Sequence, residues 1–299
     1  MIKAIFFDID GTLVSFKTHR VPESTKQALK ELREKGIKVF IATGRPKLLI
    51  NNLEDLEFDG YITLNGAHCF TADHKDIYKG LIPAEDIERV VEYTKEHDYP
   101  FVFVHDNQWF ITKVDKAVED IAKLIEISIP PVKPGEEALG KDILQIMGYF
   151  PTEADEEIFG KILTHCETMR WHPLFADIIN RGTSKSRGID EVIKHYGIKL
   201  EETMTFGDGG NDINMLEHAG IGVAMDNASD RVKAAADYIT SSVDDDGIIN
   251  ALKHFNSKPP VKYVLQNRKI SPDSVRFVQI RLRVGTNNIK LYQFGTDLL

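Results

Sequence analysis

The hydrophobic positions of this chain fall into two kinds of run. Lys3–Ile9, Ile37–Ala42 and Tyr61–Leu64 are short, largely apolar stretches rich in Ile, Val and Phe. That is the pattern of strands buried on both faces. Between the first two, Ala28, Leu29 and Leu32 recur at helical spacing within Pro22–Lys35. Pro22 suits a first helical turn and Gly36 a C-terminal stop. A second helix is expected over Pro46–Leu53. Strand and helix alternate again after residue 183. Helices are expected at Ser184–Tyr196 (closed by Gly197), Asn211–His218, Ser229–Ala236 and Gly247–Phe255, with strands at Thr203–Phe206, Gly222–Ala224 and Tyr238–Thr240. The alternation predicts an α/β fold, a doubly wound, Rossmann-like parallel sheet with helices on both faces.

The rhythm differs between Pro83 and Asn180. Ala84–His97, Asp115–Ile127 and Glu153–Cys166 read as helices. Phe101–Val104 and Trp109–Thr112 flank the turn-rich His105-Asp106-Asn107-Gln108, a hairpin signal. Ile143–Phe150, Met169–Trp171 and Ala176–Ile179 read as further strands. A smaller α+β domain inserted into the first is therefore expected, dividing the chain into a core (1–82 and 181–255), an insertion (83–180) and a tail (256–299).

Composition narrows the class. The 299 residues carry 42% hydrophobic and 28% charged side chains, enough apolar content for large cores. The formal net charge of −9 argues against a nucleic-acid partner, which needs clustered Lys and Arg. That charge is uneven. Residues 256–299 hold eight Lys and Arg against two acids, so the rest is strongly acidic and the tail basic. Cys69 and Cys166 form neither a disulfide framework nor a zinc signature, which suits a reducing, cytoplasmic setting. No window approaches the roughly 18 apolar residues of a membrane span.

The informative residues sit at element ends. Asp8 and Asp10 follow the first strand in Asp8-Ile9-Asp10-Gly11-Thr12, two apart and so able to face one site. Gly11 allows a sharp turn that brings backbone N–H groups near an anion. Thr43 follows the second strand in Thr43-Gly44-Arg45, offering a hydroxyl and backbone amides for phosphoryl oxygens, with Arg45 beside it. Lys185 opens a helix, where a cation opposes the macrodipole unless an anion lies near. Gly207-Asp208-Gly209-Gly210-Asn211-Asp212 adds acids after another strand, and matches neither G-x-G-x-x-G nor the phosphate-binding loop G-x-x-x-x-G-K-[ST].

In this combination the chain resembles the haloacid dehalogenase-like phosphohydrolases, most closely the Cof-type, subclass IIB sugar-phosphate phosphatases. The resemblance spans about Met1–Phe255 and includes Leu64-Asn65-Gly66-Ala67. It implies Asp8 as a nucleophile that becomes an aspartyl phosphate. Asp10 would protonate the leaving alcohol and later deprotonate water. Thr43 and Lys185 would hold the phosphoryl group, with Gly11, Thr12, Gly44, Arg45 and Asn211 around it. Mg²⁺ would lie between Asp8, Asp208 and the backbone carbonyl of Asp10, with Asn211 and Asp212 supporting Lys185 and the metal's waters. Where relatives often carry Gly after the motif lysine, Ser186 stands here.

The long gap between Thr43 and Lys185 marks the insertion, which in such proteins is a cap that covers the site and contacts substrate. Its candidates are His105, Trp109, Trp171, His172 and Asp177. The expected function is Mg²⁺-dependent hydrolysis of small phosphomonoesters. A phosphomutase or phosphotransferase, or a regulator that binds phosphate without turnover, are the alternatives. The sequence leaves the oligomeric state open, and gives the tail one cue, the partly alternating Ser274–Val284.

Overall fold

A computed structural model describes residues 1–53, 55–106, 108–124, 127–257, 263–264, 278–284 and 288–294. The chain forms two compact units, residues 1–249 and 250–299. The first unit opens with β1 (Ala4–Phe7), α1 (Glu23–Glu34), β2 (Lys38–Ala42), β3 (Gly60–Thr63), β4 (His68–Thr71) and β5 (Asp76–Lys79). Then come α2 (Ala84–Glu96), β6 (Phe101–His105), β7 (Gln108–Ile111), α3 (Lys116–Leu124), β8 (Gln145–Gly148), α4 (Glu153–Gly160), β9 (Cys166–His172) and β10 (Phe175–Asn180). The alternating pattern resumes with α5 (Lys185–Tyr196), β11 (Thr203–Gly207), α6 (Ile213–His218), β12 (Ile221–Ala224), α7 (Asp230–Ala234), β13 (Tyr238–Ile239) and α8 (Gly247–Ser257).

Among the described residues eight strands build the main sheet, in the order β13-β12-β11-β1-β2-β3-β4-β5. Neighbours from β13 to β3 pair in parallel, and β4 and β5 extend the sheet antiparallel. The sheet is thus mixed, whereas the sequence suggested parallel strands alone. Its extra hairpin turns at Asp73-His74, with His74 at a φ of 63°. The register matters for function. Phe7 lies level with Ile41 of β2 and Phe206 of β11, so the residues just beyond these strands emerge at one edge. Strand order reverses at β1, the place where open α/β sheets bind ligands.

Consecutive rings of β1 anchor opposite faces. Phe6 stacks on Phe40 with centroids 4.9 Å apart, and Phe7 on Phe206 at 5.0 Å. The first pair joins Ile189 and Val192 of α5 and Met215 of α6 in one buried cluster. Each such ring, fully buried, contributes about 1.5–3 kcal/mol. The helix expected over 46–53 is absent: only Lys47–Leu49 makes a single 3-10 turn. There the Arg45 guanidinium takes the Leu49 carbonyl, while Asn51-Asn52 beyond are poor helix formers.

The second sheet is antiparallel, β7-β6-β8-β10-β9. One face packs on α2 and α4 through Val90, Phe101, Phe103, Phe150 and Phe159. The other carries Val102, Val104 and Ile111, packed with α3 and with Leu64 and Ala67 from the main-sheet side. The helix expected to reach Cys166 stops at Gly160, and β9 is longer than the Met169–Trp171 expected for it. Asp86 joins α2 to this sheet. Its carboxylate accepts from the backbone N–H groups of Thr164, His165 and Cys166 at 2.8–2.9 Å.

In the second unit, β14 (Tyr263–Val264), β15 (Val278–Val284) and β16 (Asn288–Phe294) form an antiparallel sheet. The alternation read over 274–284 is thus a strand from Val278, and its first four residues lie outside the described ones.

Candidate active site

Just past β1 the backbone closes on itself, with Gly11 N–H donating to Val14 O and Val14 N–H to Ile9 O. Gly11 makes this possible. Its φ is +80°, and a Cβ there would lie 2.2 Å from Asp208 Oδ2. Asp8 leaves the strand at 7% exposure, facing Lys185 across the edge. The Lys185 ammonium is fully buried, 2.6 Å from Asp8 Oδ1 and 2.5 Å from Asp212 Oδ1. Ser184 caps the helix by accepting from Arg187 N–H, so the macrodipole does not favour the cation here. The two carboxylates hold it instead.

Asp212 uses both oxygens. Oδ1 meets Lys185, while Oδ2 accepts from the N–H groups of Asp208 and Gly209 at 2.9 and 2.8 Å. That fixes the loop beyond β11 and with it Asp208. Thr12 Oγ1 donates to Asp208 Oδ1 at 2.8 Å, and Asn227 Nδ2 donates to Asp208 Oδ2 at 3.0 Å. The Thr12 hydroxyl, expected to serve phosphate, is therefore committed to orienting Asp208. Asn227, which also donates to Gly11 O, was not anticipated. Its signal is positional: it lies in the loop after β12, beyond the carboxyl end of a parallel strand.

Asp10 points to another partner. Arg45 Nε and Nη2 donate to its two oxygens at 2.7 and 2.6 Å. The Thr43 hydroxyl accepts from Arg45 N–H at 3.1 Å and sits in a tight turn with Gly44 rather than at a helix start. Asn211 Nδ2 donates to Asn65 Oδ1 at 2.9 Å, next to Gly44. Asp8, Thr43, Lys185, Asp208, Asp212 and Asn211 thus converge on the edge that the strand register defines.

Charge in this cluster is unbalanced. Burial pushes the Asp8 carboxyl up, and Lys185 opposes that only in part because Asp212 and Asp208 repel it. Burial alone would lower the Lys185 ammonium, but Asp212 and Asp8 outweigh it and hold it above the usual lysine range. The ammonium is the firmer charge of the pair, since it faces two carboxylates while Asp8 faces one cation and two like charges. Burial also raises Asp208 to about 6, against the hydrogen bond from Thr12. Oxygens of Asp8, Asp208 and Asp212 lie within 4.8 Å of one another. Hard oxygen donors, excess negative charge and carboxyl groups held above their ordinary range fit a divalent cation.

The residues expected to contact substrate from the second sheet have varied surroundings. Trp109 packs beside Val104 and Ile111. His105 is half-buried, and burial lowers its imidazole. His172 stacks on Phe175, and its Nδ1 accepts from Leu174 N–H. Asp177 is buried and accepts from Gln145 Nε2 at 3.0 Å. The side chain of Trp171 lies outside the described residues.

The model of the haloacid dehalogenase-like hydrolases matches residues 5–252. YkrA of Bacillus subtilis is 35% identical over 257 residues, covering 84% of this chain and 96% of its own. The 5-amino-6-(5-phospho-D-ribitylamino)uracil phosphatase YcsE of the same organism is 28% identical, covering 85% of this chain and 96% of its own. Among solved structures, the HAD subclass IIB sugar phosphatase BT4131 is 48% identical with a TM-score of 0.76, covering 85% of this chain and 99% of its own. BT1666 of Bacteroides thetaiotaomicron is 42% identical with a TM-score of 0.79, covering 86% and 96%. No helix among the described residues is long and apolar enough to cross a membrane. A match over most of the chain, joined to this arrangement of acids around one buried lysine, shows that the chain belongs to the haloacid dehalogenase-like hydrolases.

Proposed function

We propose that this hydrolase is a Mg²⁺-dependent phosphatase of small phosphomonoesters, with sugar phosphates as the substrate class. The observation that carries the reading is the buried Lys185 ammonium 2.6 Å from Asp8, at the mouth of β1. A cation in that place favours the ionised, nucleophilic form of Asp8 against its burial and draws in the phosphoryl oxygens. The likeness to a sugar phosphatase at 48% identity supports the substrate class.

In the first half-reaction Asp8 attacks phosphorus, and the bond from phosphorus to the leaving oxygen breaks. Asp10 gives its proton to that oxygen, releasing the alcohol and leaving an aspartyl phosphate. In the second half, Asp10 takes a proton from a water that attacks the same phosphorus, freeing Asp8 and inorganic phosphate. Thr43, Lys185 and the Gly44 backbone amide hold the phosphoryl oxygens in line. Asp8 and Asp208, with the Asp10 carbonyl, would hold Mg²⁺, which supplies charge neutralisation on the phosphoryl group. Asp212 positions Lys185 and the Asp208 loop. Residues 83–180 act as the cap that excludes water from the first step and selects the leaving group.

The test is Asp8→Asn, which keeps the side-chain volume and removes the nucleophile. Phosphate release from a panel of sugar phosphates should fall by at least about 10⁴-fold while the melting temperature holds. Unchanged turnover in that variant would exclude an aspartyl-phosphate route. Added sugar acceptors should leave phosphate, not a new phosphoester, as the product.

A further inference from the structure

The corner after β3 has an unusual backbone. Leu64, Asn65 and Gly66 follow one another with φ of 51°, 53° and 104°. A leucine in this region is uncommon and persists only where its surroundings hold it. Leu64 N–H donates to Arg45 O and Asn65 N–H to Thr43 O, both at 3.1 Å. Leu64 and Ala67 are buried among Val102, Val104 and Ile111 of the second sheet. Gly66 lies against the helix that carries Lys185, since a Cβ there would sit 2.1 Å from Ser184 O. The corner therefore touches the Thr43 turn, the Lys185 helix and the second sheet together.

Asn65 adds a fourth contact. It is 5% exposed, and its Oδ1 accepts from Asn211 Nδ2 at 2.9 Å. Beside them, a Cβ on Gly44 would lie 3.1 Å from Asn65 Oδ1 and 3.4 Å from Asn211 Nδ2. A carboxamide nitrogen carries two hydrogens, so Asn211 keeps one for another acceptor once Asn65 has taken the first. We propose that Asn65 is a positioning residue, which fixes the Asn211 carboxamide beside Gly44 so that its second N–H meets a phosphoryl oxygen. The inference rests on the phosphatase reading and deepens it at the phosphoryl subsite.

The chemistry at position 65 is restrictive. Gly, Asn and Asp are the residues that readily take a left-handed backbone. Glycine has no oxygen to accept from Asn211, and aspartate would set another negative charge beside an anionic group. Asparagine alone meets both conditions.

This gives a clean variant, because Asn65→Gly keeps the backbone permissible and removes only the amide. With Mg²⁺ and a sugar phosphate, kcat/KM should fall about tenfold, carried by KM, since the contact serves ground and transition states alike. Inhibition by inorganic phosphate should weaken by the same factor. In an Asn211→Ala background the second substitution should add less than about twofold, because both act through one N–H. Losses that multiply, or a fall in kcat alone, would overturn the proposal. An activity-independent readout accompanies these. In metal-free, 15N-asparagine-labelled protein, Asn65→Gly should shift the Asn211 side-chain amide pair, identified by its loss in Asn211→Ala. An unmoved pair also overturns the proposal. A wild-type protein that hydrolyses no phosphomonoester sinks the phosphatase reading instead, and the amide pair still decides whether Asn65 holds Asn211.

Discussion

Arg45 grips Asp10 with a two-pronged fork, Nε on one carboxylate oxygen at 2.7 Å and Nη2 on the other at 2.6 Å. A third nitrogen, Nη1, is tied to the Leu49 carbonyl at 3.0 Å, so the guanidinium is itself fixed. The two contacts to Asp10, backed by the one to Leu49, thus hold the carboxylate proposed for proton transfer in one orientation. A lysine, with a single point of charge on a flexible stem, cannot reproduce them.

Arg45→Lys should therefore cost about tenfold in kcat and Arg45→Ala about 10²-fold, against a general-acid contribution of 10²–10⁴. Steady-state rates with a sugar phosphate check the ranking. Equal activity in wild type and Arg45→Lys would show that the fork does not orient Asp10 for proton transfer.

Much of this site was legible because its residues sit where strand ends put them. Asp8 and Thr43 follow apolar runs whose pattern alone marks buried strands, and Lys185 announces itself as a cation at a helix start. The partners were harder to read. Nothing local says that Thr12 serves Asp208 or that Asn227 reaches back 216 residues to Gly11, since those pairings exist only once strand order is fixed. The missing helix at 46–53 has the same origin. Arg45, from outside the segment, takes a carbonyl there that a helix would use. Strand β5 escaped notice because the sheet edge exposes Asp76 and leaves Ile77 to Lys79 half-buried, and β4 because His68 to Phe70 are buried without forming a continuous apolar run.

Lys185 pairs with two buried carboxylates at once, so its removal should be felt in stability as well as in turnover. Lys185→Met keeps the aliphatic stem and deletes the charge, leaving Asp8 and Asp212 without their cation. Breaking a buried pair in this way costs about 3–5 kcal/mol. Urea unfolding of the metal-free protein should show that loss, and adding Asp8→Asn to Lys185→Met should recover part of it. A double variant no more stable than the single would mean that Lys185 contributes packing alone.

The raised Asp208 carboxyl fixes the sign of a pH effect. Between its ordinary value of 3.8 and about 6 the folded, metal-free protein holds a proton that the unfolded chain has released. Its contribution to stability is then greatest at low pH and falls as pH rises through that window. A divalent cation binds the ionised form and reverses the trend. The gap between metal-loaded and metal-free melting temperatures should accordingly widen from pH 4 to pH 6 and beyond. At 100-fold excess over its dissociation constant the metal should add about 2.7 kcal/mol, worth about 4–5 °C. A gap that narrows with rising pH would argue against a carboxylate-bound cation.

Asp86 offers the opposite sign, far from the reacting groups. Burial alone would raise its carboxyl, but the backbone N–H groups of Thr164, His165 and Cys166 outweigh that and hold it below the usual range. Arg89 adds a nearby charge with Nη1 at 3.1 Å. Asp86→Asn keeps the volume but turns an NH2 toward donors, leaving at least one buried N–H without an acceptor. Hydrogen bonds to a charged group are worth about 1.5–3 kcal/mol each, and the loss should total about 2–4 kcal/mol in urea unfolding at pH 7. Because the folded value is depressed, the stabilisation is complete above the ordinary 3.8 and disappears only as pH falls through the folded value. The difference between wild type and variant should stay constant from pH 7 to about pH 5 and shrink only below about pH 4. A difference that already declines between pH 7 and 5 would assign the effect to a group other than Asp86.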